Sequence, residues 1–291
     1  MKIPHLLTTL FLAAGIAACG QSQAPVESAA APANPEKVAE SAITKIKKEG
    51  TIRIGVFGDK PPFGYVDSEG KNAGYDVVFA KRIAKELLGD ENKVTFILVE
   101  AANRVEFLKS NKVDVILANF TQTPERAEQV DFALPYMKVA LGLAVPKESN
   151  IASVDDLKGK TLIVNKGTTA DAYFTKNHPD IALLKFDQNT ETFAALKDKR
   201  GAALAHDNTL LFAWVKDNPE FKVAIASLGS QDVIAPAVAK GNVELKNFID
   251  DLIKKLSEEQ FFHKAFDETL KPAFSSDIQA DDVVIEGGVL N

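Results

Sequence analysis

The sequence predicts an α/β protein of two lobes, each a mostly parallel sheet flanked by helices, joined by two crossover strands. Three observations carry this. After removal of a leader about 270 residues remain, too many for one small core and enough for two lobes of ordinary size. Strand-like alternation and amphipathic helices follow one another as repeated βα units, which build parallel sheets. One series of units ends near Pro146, and a second begins at Ser153-Val154-Asp155-Asp156, a new helix start.

Composition narrows the function. Hydrophobic residues at 46% and charged residues at 25% are those of a globular protein, and a net charge of −6 argues against nucleic acid or an anionic membrane surface as partner. Cys19 is the single cysteine, so no intramolecular disulfide can form, and the four histidines show no metal-ligand spacing with it. No metal site and no cofactor is expected, and no residue is marked as catalytic.

The chain opens with Lys2, an apolar run from Leu6 to Ala18 too short to span a bilayer, and small residues before Cys19. Residues 1–18 are predicted to be a signal peptide. Ile16-Ala17-Ala18-Cys19 is similar to a lipobox, which implies that the Cys19 thiol is acylated. Residues 19–40 then form a tether, because their Ala, Pro, Ser and Gln cannot bury enough apolar surface to fold. A coil of that length stands a domain about 20–25 Å off its anchor.

In the first lobe, Thr51 to Phe57 alternates as a strand, and Gly58-Asp59-Lys60-Pro61-Pro62-Phe63 follows where a parallel sheet offers its ligand crevice. Phe63 either walls a pocket or enters the core; Lys60 either reaches into the crevice or is solvated. Tyr65 to Tyr75 reads as a hairpin, with Asp76 as N-cap of an amphipathic helix that Gly89 stops. Val94 to Val99 is a strand, Asn103 to Ser110 a helix whose Arg104 faces either the crevice or solvent, and Val113 to Leu117 a strand. It feeds Asn119-Phe120-Thr121-Gln122-Thr123-Pro124-Glu125-Arg126, where Thr123 and Pro124 suit the N-cap and first position of a short helix. A cation in the first turn opposes the helix dipole, which makes sense if Arg126 faces an anion that the same helix end attracts. A small carboxylate fits, held by the guanidinium with the Thr121 hydroxyl beside it.

In the second lobe, Thr161 to Val164 is a strand and Gly167-Thr168-Thr169 begins a helix, where Thr168 and Thr169 make either a second anion cradle or an ordinary cap. Ile181 to Phe186 and Ala202 to Ala205 are strands, and Asp207 is either the next helix's N-cap or a carboxylate for an ammonium group. Val233 to Lys240 reads as one strand and the return crossover. Val243 to Phe266 supplies two closing helices. The lobes are then 41–139 with 234–276, and 140–233, with 277–291 as a loose tail.

Several of these stretches resemble the type 3 amino-acid-binding proteins of ABC importers. Thr121, Thr123, Glu125 and Arg126 match that family's Thr-x-Thr-x-Glu-Arg motif, and Pro61-Pro62-Phe63-Gly64, Gly74-Tyr75-Asp76, Gly167-Thr168-Thr169 and Asp207 occur in its order and at about its spacing. The resemblance covers roughly residues 45 to 272. It implies the type II periplasmic-binding-protein fold and an α-amino acid closed between the lobes, its carboxylate on Arg126 and its ammonium on Asp207. Lys60, Phe63, Arg104, Asn119, Phe120, Thr121, Thr168 and Thr169 complete the implied site. It also implies an ABC permease and ATPase as partners, a monomer, contact with the membrane through a lipid anchor only, and a periplasmic or cell-surface location.

Asp59 to Gly64 and Val164 to Asp171 look most like the cysteine-binding branch, and a small pocket walled by Phe63 and Phe120 suits a polarizable thiol. Glutamate or aspartate is the alternative, if Lys60 and Arg104 meet a second carboxylate. An enzyme like the cyclohexadienyl dehydratases, and a sensor or surface antigen, are the other classes considered.

Overall fold

The computed structural model describes residues 40–290. The expected signal peptide, the lipidation at Cys19 and nearly all of the tether lie outside the described residues. Strand β1 (Ile52–Val56) leads into a small ribbon of β2 (Asp59–Lys60), β3 (Gly64–Val66) and β4 (Asn72–Ala73), and β5 (Val94–Leu98), β6 (Val115–Ile116) and β7 (Val130–Phe132) follow. The second series is β8 (Met137–Pro146), β9 (Thr161–Asn165), β10 (Ala182–Phe186), β11 (Ala203–Asp207) and the long β12 (Phe221–Ile234), after which comes β13 (Ala237–Ala239).

Two five-stranded sheets result, ordered β5-β1-β6-β13-β7 and β10-β9-β11-β8-β12. Each combines parallel βα pairings with one strand of opposite direction: β13 runs antiparallel to β6 and β7, and β8 antiparallel to β11 and β12. The helix Tyr75–Leu88 shows how sequence drives this packing. Val77, Ala80, Ile83, Ala84 and Leu87 recur at helical spacing and are buried in one cluster with Ile52, Ile54 and Val56 of β1. Gly89 ends the helix in the left-handed conformation, φ 78°, its N–H on the Lys85 carbonyl.

The chain passes between the sheets twice, after β7 and after β12. The crossing segments bond to each other: Ala133 N–H donates to Pro236 O at 2.9 Å and Tyr136 N–H to Ile234 O at 3.0 Å. Val233 to Lys240 is therefore not the single strand expected. Pro236 has no N–H for a ladder, so the run divides into the end of β12 and the separate β13. β8 belongs to the second sheet from Met137 onward, slightly ahead of the lobe boundary expected at 139.

The end of the chain corrects a second expectation. Residues 277–290 are not a loose tail: Val283, Val284 and Ile285 are buried, Ile285 N–H donates to Tyr136 O at 3.1 Å, and Val284 bridges Met137. Three successive apolar residues gain more by covering the crossing segment than by facing water.

Candidate functional site

Strand β2, two residues after β1, carries Lys60 to Asp207 at the end of β11. The Lys60 Nζ donates to Asp207 Oδ2 at 2.6 Å and to Asn119 Oδ1 at 2.7 Å, and Lys60 and Asp207 are 2% and 4% exposed. The ammonium lies 5.3 Å from the Phe57 ring centre and 5.8 Å from that of Phe63. Burial pushes the Lys60 pKa down and the Asp207 carboxylate opposes it. Burial alone would raise the Asp207 carboxyl, but Lys60 and its other neighbours outweigh it and hold the group at about 2. Lys60 is thus neither solvated nor free in the crevice, and Phe63, fully buried beneath it, is core rather than pocket wall.

Asn119 joins this pair to a second buried carboxylate. Its backbone is left-handed, φ 45°, and its N–H donates to Asp76 Oδ2 at 2.8 Å, while the Tyr136 hydroxyl donates to Asp76 Oδ1 at 2.6 Å. Asp76 is therefore not the N-cap the sequence suggests. Gly74 takes that position at φ 111°, where a Cβ would stand 2.5 Å from Phe63 O, and this turns Asp76 inward. Burial raises the Asp76 carboxyl to about 7 against the opposing hydrogen bonds, and burial lowers the His206 imidazole of β11 to about 3.

The two groups make opposite contributions to pH-dependent stability. Folded Asp76 keeps a proton that the unfolded chain has released above about pH 4, so its contribution is lost as pH rises toward 7. Folded His206 stays neutral where the unfolded chain binds a proton, so its contribution is present above about pH 6.5 and is lost as pH falls toward 3. Asp76→Asn removes the first and leaves the second. Between pH 4.5 and 6 its stability is expected to rise with pH more steeply than the wild type's, by up to about 1.4 kcal/mol per unit. Urea midpoints at the two pH values check this, and an unchanged slope would show Asp76 already ionised.

The two arginines share one carbonyl across the lobes. Arg104 Nη2 and Arg126 Nη2 donate to Gly167 O at 3.2 and 2.9 Å. Arg104 also reaches Ala101 O, Ala118 O and Asn119 O, and Arg126 Nη1 donates to Thr121 O at 2.7 Å. Both guanidinium carbons stand over the Phe120 ring, at 4.3 and 4.7 Å. Arg104 is buried, not a surface arginine, and burial lowers its pKa far below the usual value and that of Arg126 to about 10. Among the described residues no carboxylate pairs with either at salt-bridge distance.

The helix ends behave differently from each other. Pro124–Ala127 begins where the sequence places it, with the Thr123 hydroxyl accepting Arg126 N–H at 3.3 Å. Across the cleft, Thr168 is the N-cap of Thr169–Asn177: its hydroxyl accepts Asp171 N–H and donates to Asn165 O at 2.7 Å. Its one hydroxyl proton is thereby committed, so Thr168 caps the helix, and a cradle here would use first-turn N–H groups at half-buried Thr169. Gly167 precedes them at φ 71°, where a Cβ would approach Ala102 Cα of the first lobe to 2.5 Å.

The structure therefore gathers Lys60, Arg104, Asn119, Phe120, Thr121, Arg126, Thr168, Thr169 and Asp207 at one junction and leaves Phe63 in the core. Sequence reasoning missed the inward role of Asp76 and the carbonyl of Gly167. The Gly74 that displaces Asp76 from the cap was visible; the arginine contacts to a backbone oxygen carry no sequence signal.

Comparison with known proteins accords with this geometry. The family described as bacterial extracellular solute-binding proteins, family 3, matches residues 52–270. The solved cysteine-binding protein from Campylobacter jejuni is 75% identical, with a TM-score of 0.84, over 84% of this chain and 99% of that one. The solved solute receptor for L-cysteine of Neisseria gonorrhoeae is 59% identical, with a TM-score of 0.82, over 84% of this chain and 99% of its own. The glutamine-binding protein of an ABC transporter in Bacillus subtilis is 31% identical over 267 residues, 91% of this chain and 95% of that protein. With two lobes closed on a cluster of cations and one paired carboxylate, and with that match over most of its length, this chain belongs to family 3 of the bacterial extracellular solute-binding proteins.

Proposed function

We propose that the protein captures L-cysteine between its lobes and delivers it to an ABC importer. One observation carries the reading: two buried or half-buried guanidiniums, Arg104 and Arg126, meet at the cleft with no carboxylate of the described chain against them. A ligand carboxylate supplies the missing anion, with Arg126 as its partner. Asp207, held ionised at about 2, receives the ligand ammonium through Oδ1, which takes no hydrogen bond among the described residues while Oδ2 binds Lys60. An acid held that low acts as an anion rather than a proton donor, which favours binding over catalysis.

The choice of side chain follows from how the remaining cations are occupied. Lys60 is engaged by Asp207 and Asn119, and Arg104 by four backbone carbonyls. A second carboxylate, as in glutamate, would have to displace these contacts. A short uncharged side chain does not, and the Campylobacter and Neisseria proteins, the two relatives with the highest identities above, both carry cysteine in their names. Placement outside the cytoplasm as a lipid-anchored monomer rests on the family and on the sequence around Cys19.

A thermal-shift screen of all amino acids under reducing conditions tests the ligand. A compound that binds only the folded state raises the midpoint, by about 2.7 kcal/mol of apparent stability at a hundredfold excess over Kd. L-cysteine is expected to give the largest shift. A shift from glutamate and none from cysteine would overturn the assignment.

A further inference from the structure

A second set of contacts crosses between the lobes beside the site, and it begins at the residue next to Lys60. Asp59 Oδ2 accepts the N–H groups of Asn189 and Thr190, at 2.7 and 3.3 Å, and Asp59 Oδ1 accepts Asn189 Nδ2 at 2.9 Å. Asn189 and Thr190 open the helix Asn189–Lys197 of the second lobe, so a carboxylate from the first lobe sits on that helix's positive end. Lys60 and Asp59 are successive residues of β2, whose side chains point to opposite faces. One binds Asp207; the other binds the helix beside it.

Asn189 continues the chain of contacts inward. The residue is 2% exposed, and with Nδ2 committed to Asp59 its Oδ1 is left facing His206 Nε2 at 3.0 Å. His206 Nδ1 accepts the N–H of Asp207 at 2.7 Å, so Nδ1 carries no proton and the neutral ring donates from Nε2. Every hydrogen then has one direction: Asp207 N–H to His206, His206 Nε2–H to Asn189, Asn189 Nδ2–H to Asp59. The backbone that presents the Asp207 carboxylate is tied in this way to a side chain of the opposite lobe.

We propose that Asp59 is a positioning residue for ligand binding: a cross-lobe latch that holds Asp207 in register through Asn189 and His206 without touching the ligand. This deepens the reading of Asp207 as the ammonium partner and rests on it. With the lobes apart, water satisfies both Asp59 and the helix end, so the latch contributes only when they close. Its loss should therefore speed opening rather than slow encounter.

In stopped-flow measurements with L-cysteine, Asp59→Ala is expected to raise the dissociation rate about tenfold or more, tenfold being the lower end for a single charge-assisted hydrogen bond, and to leave the association rate within about twofold. The ligand-free melting midpoint should hardly move, which a merely structural residue would not allow. Because the Asn189 side chain reaches the opposite lobe only through Asp59, Asp59→Ala with Asn189→Ala should cost little more than Asp59→Ala alone. An unchanged dissociation rate, or strictly additive effects, would overturn the proposal. If the wild type does not bind L-cysteine, the functional reading fails separately. Amide exchange with the compound from the thermal-shift screen that does bind then decides the latch: protection of Asn189 and Thr190 that Asp59→Ala removes retains it, and unaltered protection rejects it.

Discussion

Asp207→Ala is expected to lose L-cysteine binding by roughly 150- to 5,000-fold while the ligand-free protein stays folded. Truncating one member of a buried pair costs about 3–5 kcal/mol, because the surviving charge is left in a place water cannot reach. Here the survivor is Lys60, 2% exposed and with Asn119 Oδ1 as its remaining partner. The pair spans the two lobes, so opening hydrates Lys60 and relieves the penalty. The cost should fall on closure, hence on affinity, and not on unfolding. Calorimetry beside a melting curve separates the two; a loss below about fivefold, under ~1 kcal/mol, would remove Asp207 from the site.

Arg126→Ala is expected to weaken binding by about 2–5 kcal/mol, since it takes away the proposed carboxylate partner together with the bond to Gly167 O that links the lobes. Arg126→Lys should recover only part of this. A lysine returns the charge but not the fork that reaches Thr121 O and Gly167 O together, nor the stacking on Phe120. Equal affinities for Arg126→Lys and the wild type would show that charge alone matters at this position.

Local chemistry was the legible part of the sequence. The helix at Pro124 begins where Thr123 and Pro124 place it, because a cap and its first turn are neighbours in the chain. The alternation of βα units gave the sheets, for the same reason. Errors arose where a distant partner decides a residue's fate. Asp76 looked like a cap until Tyr136 and Asn119 claimed its carboxylate, and neither reading open for Lys60, crevice or solvent, foresaw its pairing with Asp207, 147 residues away. Asp59 and Asn189, 130 residues apart, carry no mark of each other at all. The misjudged C-terminal segment is a different case: Val283-Val284-Ile285 is an apolar run that the reading of 277–291 as a loose tail passed over.

The pairing of sequence-distant charges is also what makes the account testable in one measurement, a crystal structure of the protein grown with L-cysteine under reducing conditions. The account predicts the amino acid between the lobes, its carboxylate on the Arg126 guanidinium, its ammonium on Asp207, and Lys60 still paired to Asp207 and Asn119. A cysteine bound elsewhere, or one whose carboxylate displaces Asp207 from Lys60, would contradict it.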